Sequence, residues 1–346
     1  MASTTVSFMT GGDVAPIREK GTGMFGDLAA QFRSADVSFV NLEHTLSTRG
    51  ALSRGREHFH RGPPNNADGL QEAGFSCVNI ANNHIMDFNE EAFFETLDAL
   101  QQRKIPYFGA GANLAAASKP CIVGHAGLRV GLLGYTTTLP RGFAADPSTP
   151  GVNPINVHTA YQAKRSTPEY PGVAPHIVTW TEPDDLARLR SDVAALAVQA
   201  DVVVVYLHWG TSMTPYVHDF QKEIGHAAID AGAHAVFGGH QHVVCAIEFY
   251  QGCPIVHGSG NLLFDKWEPF FTDETLKTFL VGATLEPGKL RDIYVLPVKN
   301  GVGTPPVLLP RGDARWSEIC ADLKTRSGPF GTRVDARDDR IDIRQG

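Results

Sequence analysis

The 346-residue sequence has no run that approaches the roughly 20 apolar residues needed to cross a membrane. It also has no basic excess: 30 Lys and Arg against 37 Asp and Glu give a net charge of −7, which argues against nucleic-acid binding. The start, MASTTVSFMTGGDV, has no basic, apolar signal-peptide pattern. Five scattered cysteines favour free thiols in a reducing compartment. We therefore expect a cytoplasmic protein without nucleic-acid or membrane partners.

Short apolar runs alternate with helix-like segments along most of the chain. The runs predict buried strands over 4–10, 35–42, 75–81, 128–135, 200–210, 233–239 and 253–260. Helical spacing of apolar residues predicts helices over 89–104, 183–200 and 218–232. This alternation indicates an α/β domain built in layers. Two further runs, 276–286 and 291–298, follow each other without a helix and suggest a second sheet packed on the first.

Residues 140–175 interrupt this alternation, with seven prolines and little periodicity. A loop of this length inside a compact domain is commonly an active-site lid, a binding loop or a disordered insertion. We expect a lid-like insertion within one domain that spans residues 1–310. A C-terminal helix and tail should follow at 311–346.

Potential metal ligands end five of the predicted strands. They are carboxylates, imidazoles and amides: Asp13, Asn41, Glu43, Asn82, Asn83, His84, Asp87, His208, His240 and His242. Ligands of α/β sheets bind beyond the carboxyl ends of the strands, so these side chains should converge. Such a set, which lacks cysteine, suits Zn²⁺, Mn²⁺, Fe²⁺ or Ca²⁺. The sequence therefore predicts one or two divalent metal ions per chain.

The segment GGHQHV places His240 and His242 two residues apart. On an extended strand, two such side chains point to opposite faces of the sheet. In a turn that follows a strand, both can reach inward, one toward each of two neighbouring ions. A carboxylate can bridge such ions at roughly 3.5–4 Å, and the pair can activate water or polarise an oxygen.

The motifs GGD, NLE, ANNHIMD, HWG, GGHQHV and GSGNLLFD occur in this order over about residues 5–265. In this order and spacing, the sequence resembles the CapA-type (poly-γ-glutamate capsule protein) branch of the calcineurin-like metallophosphoesterases. The resemblance implies a four-layer αββα sandwich with a dinuclear site between strand ends. It also implies six metal ligands: Asp13, Glu43, Asn83, His208, His240 and His242. Glu43 would bridge, with Asp13 and His242 on one ion and the other three ligands on the second.

The same resemblance implies that His84 is the catalytic acid or base. Asp87, one helical turn further on, would orient it. Asn261 and Asp265 in GSGNLLFD match a further family motif whose role is structural.

Three features depart from the family pattern. Ala15 stands where phosphoesterases of this fold usually carry a histidine, two residues after the first aspartate. After HWG, residues 211–213 are Thr-Ser-Met, where the family often has an acidic residue and a tyrosine. Capsule proteins of this type usually have a membrane anchor, and none is expected here. The expected lack of an anchor, the altered pocket and the lid-like insertion favour a peptide substrate in solution over a capsule polymer, whereas Ala15 weakens the case for a phosphatase.

An arginine-rich segment, RGALSRGREHFHRGPP (49–64), follows Glu43. One interpretation is a solvated loop. The other is recognition of a substrate carboxylate or phosphate by Arg54, Arg56 and His60, because arginine pairs bidentately with either group.

Three functions compete. The favoured one is L-to-D epimerisation of a residue in a ribosomally made lasso-type precursor peptide. It follows from a resemblance to soluble CapA-like epimerases, and it requires an oxyanion stabiliser and acid/base groups. The second is hydrolysis of a phosphate ester or of a γ-glutamyl amide. The third is a non-catalytic role in capsule biosynthesis.

Overall fold

The computed structural model describes residues 5–57, 60–164, 172–266 and 270–346. Its strands are β1 Val6–Ala15, β2 Val37–Leu42, β3 Cys77–Asn79, β4 Tyr107–Phe108, β5 Ala110–Gly111, β6 Cys121–His125, β7 Leu128–Thr136, β8 Gly151–Val152, β9 Val157–Gln162, β10 His176–Thr181, β11 Val202–His208, β12 Ala235–Gly239, β13 Ile247–Tyr250, β14 Cys253–Val256, β15 Asn261–Phe264, β16 Lys277–Glu286, β17 Lys289–Lys299, β18 Val307–Leu308, β19 Thr332–Ala336 and β20 Ile341–Gln345. Its α-helices are α1 Leu28–Ser34, α2 Ala67–Ala73, α3 Asn89–Gln102, α4 Leu114–Ala117, α5 Pro183–Ala197, α6 Asp219–Asp230 and α7 Ala314–Ser327.

Most strands belong to two large sheets that pack face to face. The ten-stranded sheet has the order β19-β20-β17-β16-β1-β2-β3-β4, with β15 beside β1 and β18 beside β17. The six-stranded sheet has the order β13-β14-β12-β11-β7-β6. Between them, the ring of Phe8 lies 5.5 Å from that of Phe237, and the ring of Phe39 lies 6.0 Å from that of Tyr206. These interdigitated aromatic residues form the central core.

Helices cover the outer faces of both sheets. Phe32 of α1, Leu70 of α2 and Phe93 of α3 are buried against the ten-stranded sheet. Leu189 of α5 and Ile224 of α6 are buried against the six-stranded sheet. The layers therefore run helix, sheet, sheet, helix, and the predicted four-layer αββα sandwich is confirmed.

The predicted membership of the second sheet is wrong. β16 and β17 were expected to form it, but β16 pairs antiparallel with β1 in the ten-stranded sheet. Two strands share one edge of β1: Val6–Thr10 pairs with β16 and the part from Asp13 onward pairs with β15, while the register of β1 with β2 shifts between Thr10 and Asp13. At the shift, a side chain at Gly12 would collide with the carbonyl oxygen of Gly260, so glycine is required there.

Two segments singled out in the sequence have regular structure. Residues 311–346 contain the expected helix, α7, and then β19 and β20, of which β20 joins the ten-stranded sheet by pairing with β17. The 140–175 insertion contains β8 and β9, and β9 pairs with β10 in a separate hairpin. Residues 165–171 of the insertion lie outside the described residues. Across the described ranges, each helix is either too short or too polar to cross a membrane.

Asp265, from the GSGNLLFD motif, ties three segments together. Its carboxylate accepts hydrogen bonds from the backbone N–H groups of Ile17 at 2.9 Å and Gly303 at 3.2 Å. It also accepts two from the Arg18 guanidinium, each at 2.9 Å. The Asp265 side chain is 3% exposed and that of Arg18 is 15% exposed. This buried ion pair explains the structural role expected for the motif.

We predict that Asp265→Ala lowers the free energy of unfolding by about 3–5 kcal/mol, because it leaves the Arg18 guanidinium and two N–H groups without their acceptor. Urea unfolding of metal-loaded protein measures the change. Lys222→Ala is the matched control: it removes an exposed partner of Asp219 and should cost less than about 1 kcal/mol. Equal costs for the two variants would contradict the prediction.

Candidate metal centre

The predicted ligands meet between the two sheets, at the edge where the parallel strands have their carboxyl ends. β1 contributes Asp13, and the segments after β2 and β3 contribute Glu43 and Asn83, all from the ten-stranded sheet. The six-stranded sheet contributes His208 at the end of β11 and the histidines that follow β12. The site therefore lies between the sheets and needs both of them.

Two groups of three ligands share Glu43. Asp13, Glu43 and His242 offer ligand atoms within 4.8 Å of one another, and Glu43, His208 and His240 do the same. The amide oxygen of Asn83 lies 2.8 Å from Nε2 of His208, so it points to the second group. All six side chains are buried. The structure thus assembles them in the two groups expected from the sequence.

Glu43 is a buried carboxylate that lacks a hydrogen-bond donor. Among the described residues, neither of its oxygens has a hydrogen-bond partner, and the residue has no exposed surface. Its Oε1 lies 3.5 Å from Nε2 of His208 and 3.7 Å from Nε2 of His242. Burial, and then the charge of Asp13, raise the pKa of Glu43 to about 8. A carboxylate left in this state is costly unless a cation lies against it, so the donor set fits a divalent ion.

The turn after β12 explains how two histidines two residues apart both face the centre. His240 and His242 have φ angles of 90° and 59°, in the left-handed region that such residues seldom adopt. Strained backbone of this kind concentrates at functional sites. A side chain at Gly239 would collide with the Tyr206 hydroxyl, so the preceding glycine is also required.

His208 and His240 are held in the neutral form that binds metals. Burial lowers the pKa of His208 to about 4. Burial, and then the neighbouring histidines, lower the pKa of His240 well below its ordinary value. Nδ1 of His240 has no hydrogen-bond partner among the described residues, so it offers a lone pair to a ligand.

An outer layer of residues orients these side chains. The Asp13 carboxylate accepts hydrogen bonds from Asn41 Nδ2 at 2.8 Å, from the Tyr206 hydroxyl at 3.1 Å and from the His240 backbone N–H at 3.1 Å. Such outer contacts fix the geometry of a metal site. The sequence interpretation missed Tyr206 because it lies inside an apolar strand. Its one signal was strand alternation, which puts it on the same face as His208.

His84 and Asp87 form a dyad beside Glu43. Nδ1 of His84 lies 2.7 Å from the Asp87 carboxylate, and Nε2 lies 3.9 Å from Oε1 of Glu43. The bond to Asp87 therefore directs the other ring nitrogen toward the centre. The His84 side chain is 13% exposed, so it can reach a substrate. This is the placement expected of an acid or base that does not bind the metal.

The arginine-rich segment divides into two parts. Arg56 points inward: it donates to Asp87 at 2.6 Å and to the Asn83 carbonyl at 3.0 Å, and it lies over the Phe143 ring at 5.5 Å. Arg54 and His60 are exposed. Residues 58 and 59 lie outside the described residues. Substrate binding by Arg54 and His60 stays a prediction, whereas the structure places Arg56 behind the His84–Asp87 dyad.

The buried charge of Glu43 predicts a pH-dependent stability for metal-free protein. Its pKa is about 8 in the fold and 4.5 as the ordinary value, so the folded state holds the proton more tightly and loses stability as the pH rises toward about 8. Relative to Glu43→Gln, wild type should lose about 2 kcal/mol between about pH 6 and pH 8. Histidines whose pKa is lowered titrate in both proteins and cancel in the difference.

Urea unfolding in excess chelator measures this difference. The same comparison with saturating Mn²⁺ serves as the control, because a cation beside Glu43 removes the reason for its proton uptake. Parallel stability profiles of the two metal-free proteins would refute the assignment of Glu43 as an uncompensated buried charge.

The family model of the bacterial capsule synthesis protein PGA_cap matches residues 8–266. The PGA biosynthesis protein CapA of Bacillus subtilis is 28% identical over 68% of this chain and 55% of its own length. A probable polyglutamine synthesis accessory protein of Mycobacterium tuberculosis is 28% identical over 89% of this chain and 77% of its own. A solved phosphatase from Mycoplasma pneumoniae is 14% identical with a TM-score of 0.47, over 86% of this chain and 94% of its own.

The chain thus spans little more than half of the Bacillus subtilis relative. The family match, in contrast, includes the six predicted ligands and the His84–Asp87 dyad. The chain belongs to the bacterial capsule synthesis protein family PGA_cap.

Proposed function

We propose that this protein is a divalent-metal-dependent hydrolase that cleaves amide bonds in a γ-glutamyl polymer. The observation that carries the proposal is the buried, unpaired Glu43 carboxylate shared by two groups of metal ligands. The names of the relatives, which refer to PGA biosynthesis and polyglutamine synthesis, support a glutamyl polymer as the substrate.

The ligand chemistry narrows the choice of metal. Asp13, Glu43 and His242 would hold one ion, and Glu43 with the remaining ligands would hold the second. Three imidazoles suit Zn²⁺, Mn²⁺ or Fe²⁺ better than Ca²⁺, which prefers oxygen ligands. A bound pair supplies Lewis acidity, which lowers the pKa of water and polarises a carbonyl oxygen.

His84 supplies the proton that amide hydrolysis requires. An amine is a poor leaving group until its nitrogen is protonated, so the reaction needs an acid on the leaving side. Asp87 holds Nδ1 of His84 at 2.7 Å, which keeps Nε2 directed at the centre. Arg56 compensates the charge of Asp87 at 2.6 Å and fixes its position. The chain's own part in the reaction is thus to orient one imidazole and hold its proton.

Hydrolysis ranks above the epimerisation favoured by the sequence. Hydrolysis needs one proton donor for the leaving group, whereas epimerisation needs a group on each face of an α-carbon. His84 is a candidate for the single proton donor that hydrolysis needs. The relatives named above are described by PGA biosynthesis or polyglutamine synthesis. Epimerisation of a precursor peptide stays a prediction.

The test is incubation of Mn²⁺-loaded protein with a γ-linked oligoglutamate in D₂O, followed by mass spectrometry and chiral analysis. Hydrolysis should give shorter oligomers without deuterium at the α-carbons. His84→Ala should keep the metal and lose activity by roughly 10²–10⁴-fold, as is usual for a general acid or base. Glu43→Ala should lose most of its metal in elemental analysis.

Two results would overturn the proposal. Intact oligomers that gain α-deuterium and change chirality would mean epimerisation. Cleavage of a phosphate ester, with the oligoglutamate untouched, would mean a phosphoesterase. Full activity of His84→Ala would remove His84 from the mechanism.

The two arginines of the 49–64 segment should behave differently. Arg56→Ala should lower kcat by roughly 10–100-fold, the usual loss when a residue that orients an active-site group is removed, because Asp87 would lose its partner. Arg54→Ala, on the same exposed segment, should leave kcat unchanged and raise KM if Arg54 binds a substrate carboxylate. Steady-state kinetics separates the two effects. A raised KM with normal kcat in Arg56→Ala would instead make Arg56 a substrate ligand.

A further inference from the structure

The hairpin of β9 and β10 forms one wall of a second cavity. This cavity has a volume of about 390 Å³ and lies between Ile177 and Thr179 of β10 and the segment from Thr211 to Asp219. The hairpin is fixed on α6, since Thr181 donates from its N–H and hydroxyl groups to Glu223 at 2.8 and 2.6 Å. A cavity of this size accommodates a small ligand or a few residues of a chain.

This cavity lies at the same edge of the six-stranded sheet as the metal centre. The segment from 209 to 218 connects His208, at the end of β11, to the start of α6. Its Met213 N–H donates to the Gln241 carbonyl at 2.9 Å, and Gln241 lies between the two histidines of the centre. A chain held at the metals can therefore continue across exposed Met213 into the cavity.

The lining suits a polyamide with carboxylate side groups. Ile177 and Tyr216 are 51% and 62% exposed and offer apolar surface. Three threonine hydroxyls line the cavity. That of Thr211 lies 2.9 Å from Nε2 of His218. Those of Thr179 and Thr214 accept hydrogen bonds from backbone N–H groups at 3.4 and 3.3 Å and keep a proton to donate to an amide carbonyl. Lys164 has no ion-pair partner in the described part of the chain, whereas Asp219 is paired with Lys222 at 3.6 Å. Among the described residues of the lining, the Lys164 ammonium group thus lies near apolar side chains and hydroxyl groups without an ion-pair partner.

We infer that this cavity is a subsite for the residues of a γ-glutamyl chain that flank the bond held at the metal centre. Each residue of such a chain presents two methylene groups, an amide and a free carboxylate. Ile177 and Tyr216 contact the methylenes, the threonine hydroxyls bond the amides, and Lys164 pairs with a carboxylate. This inference rests on the proposed function and assigns the β9–β10 hairpin to substrate recognition.

The test is calorimetric binding of γ-linked glutamate dimer and octamer to the metal-loaded His84→Ala variant, which should keep its metal and leave the ligands uncleaved during the measurement. The octamer should bind at least about tenfold more tightly than the dimer, a difference of about 1.4 kcal/mol. The double variant Ile177→Ser with Tyr216→Ala should lose most of this difference. Lys164→Gln should weaken octamer binding and reduce its dependence on salt. These side chains are exposed, so the variants should unfold at the wild-type temperature.

Trp180→Ala is the matched control. Trp180 lies in the same strand on the opposite face, where it stacks on His158 at 5.5 Å, so the length preference should persist. Loss of the preference in Trp180→Ala, or its retention in the double variant, would overturn the subsite. Equal binding of an α-linked octamer would overturn the γ-glutamyl assignment. Length-dependent binding to the variant, with no cleavage of the octamer by metal-loaded wild type, would leave the subsite standing and remove the proposed function.

Discussion

The structure of the site depends on one buried carboxylate. Glu43 has no exposed surface and no hydrogen-bond donor among the described residues, and it is the member common to both ligand groups. Removal of an unpaired carboxylate from water costs several kcal/mol unless a counter-charge is present. Two of its neighbours do not supply that charge, because burial lowers the pKa of His208 and of His240. The fold thus buries a negative charge on Glu43 that a bound divalent cation would neutralise.

The Glu43 carboxylate stays buried because two sheets enclose it. Glu43 follows a strand of the ten-stranded sheet and His208 ends a strand of the six-stranded sheet. The aromatic core between the sheets, which includes Phe39 and Tyr206, sets their separation. Tyr206 belongs to that core and also donates to Asp13. Core packing and ligand orientation are therefore coupled through one side chain.

The arginine-rich segment and the proline-rich insertion both reach the neighbourhood of the centre. Arg56 of the arginine-rich segment reaches the His84–Asp87 dyad and is covered by Phe143 from the proline-rich insertion. The later part of the insertion forms the hairpin beside the 390 Å³ cavity. The insertion thus lies against Arg56 on one side and beside the cavity on the other.

The sequence by itself determined the residues whose chemistry is local. Strand-end positions predicted Asp13, Glu43 and His208 as ligands, and the spacing of His240 and His242 predicted a turn, which their positive φ angles show. Strand periodicity does not specify which sheet a strand joins. The antiparallel pairing of β16 with β1, a contact between segments far apart in the sequence, was therefore not predicted. The sequence also could not separate Arg56 from Arg54, because composition does not say which guanidinium folds inward. Contacts between segments distant along the chain decided these points, since burial and hydrogen bonding are properties of the assembled fold.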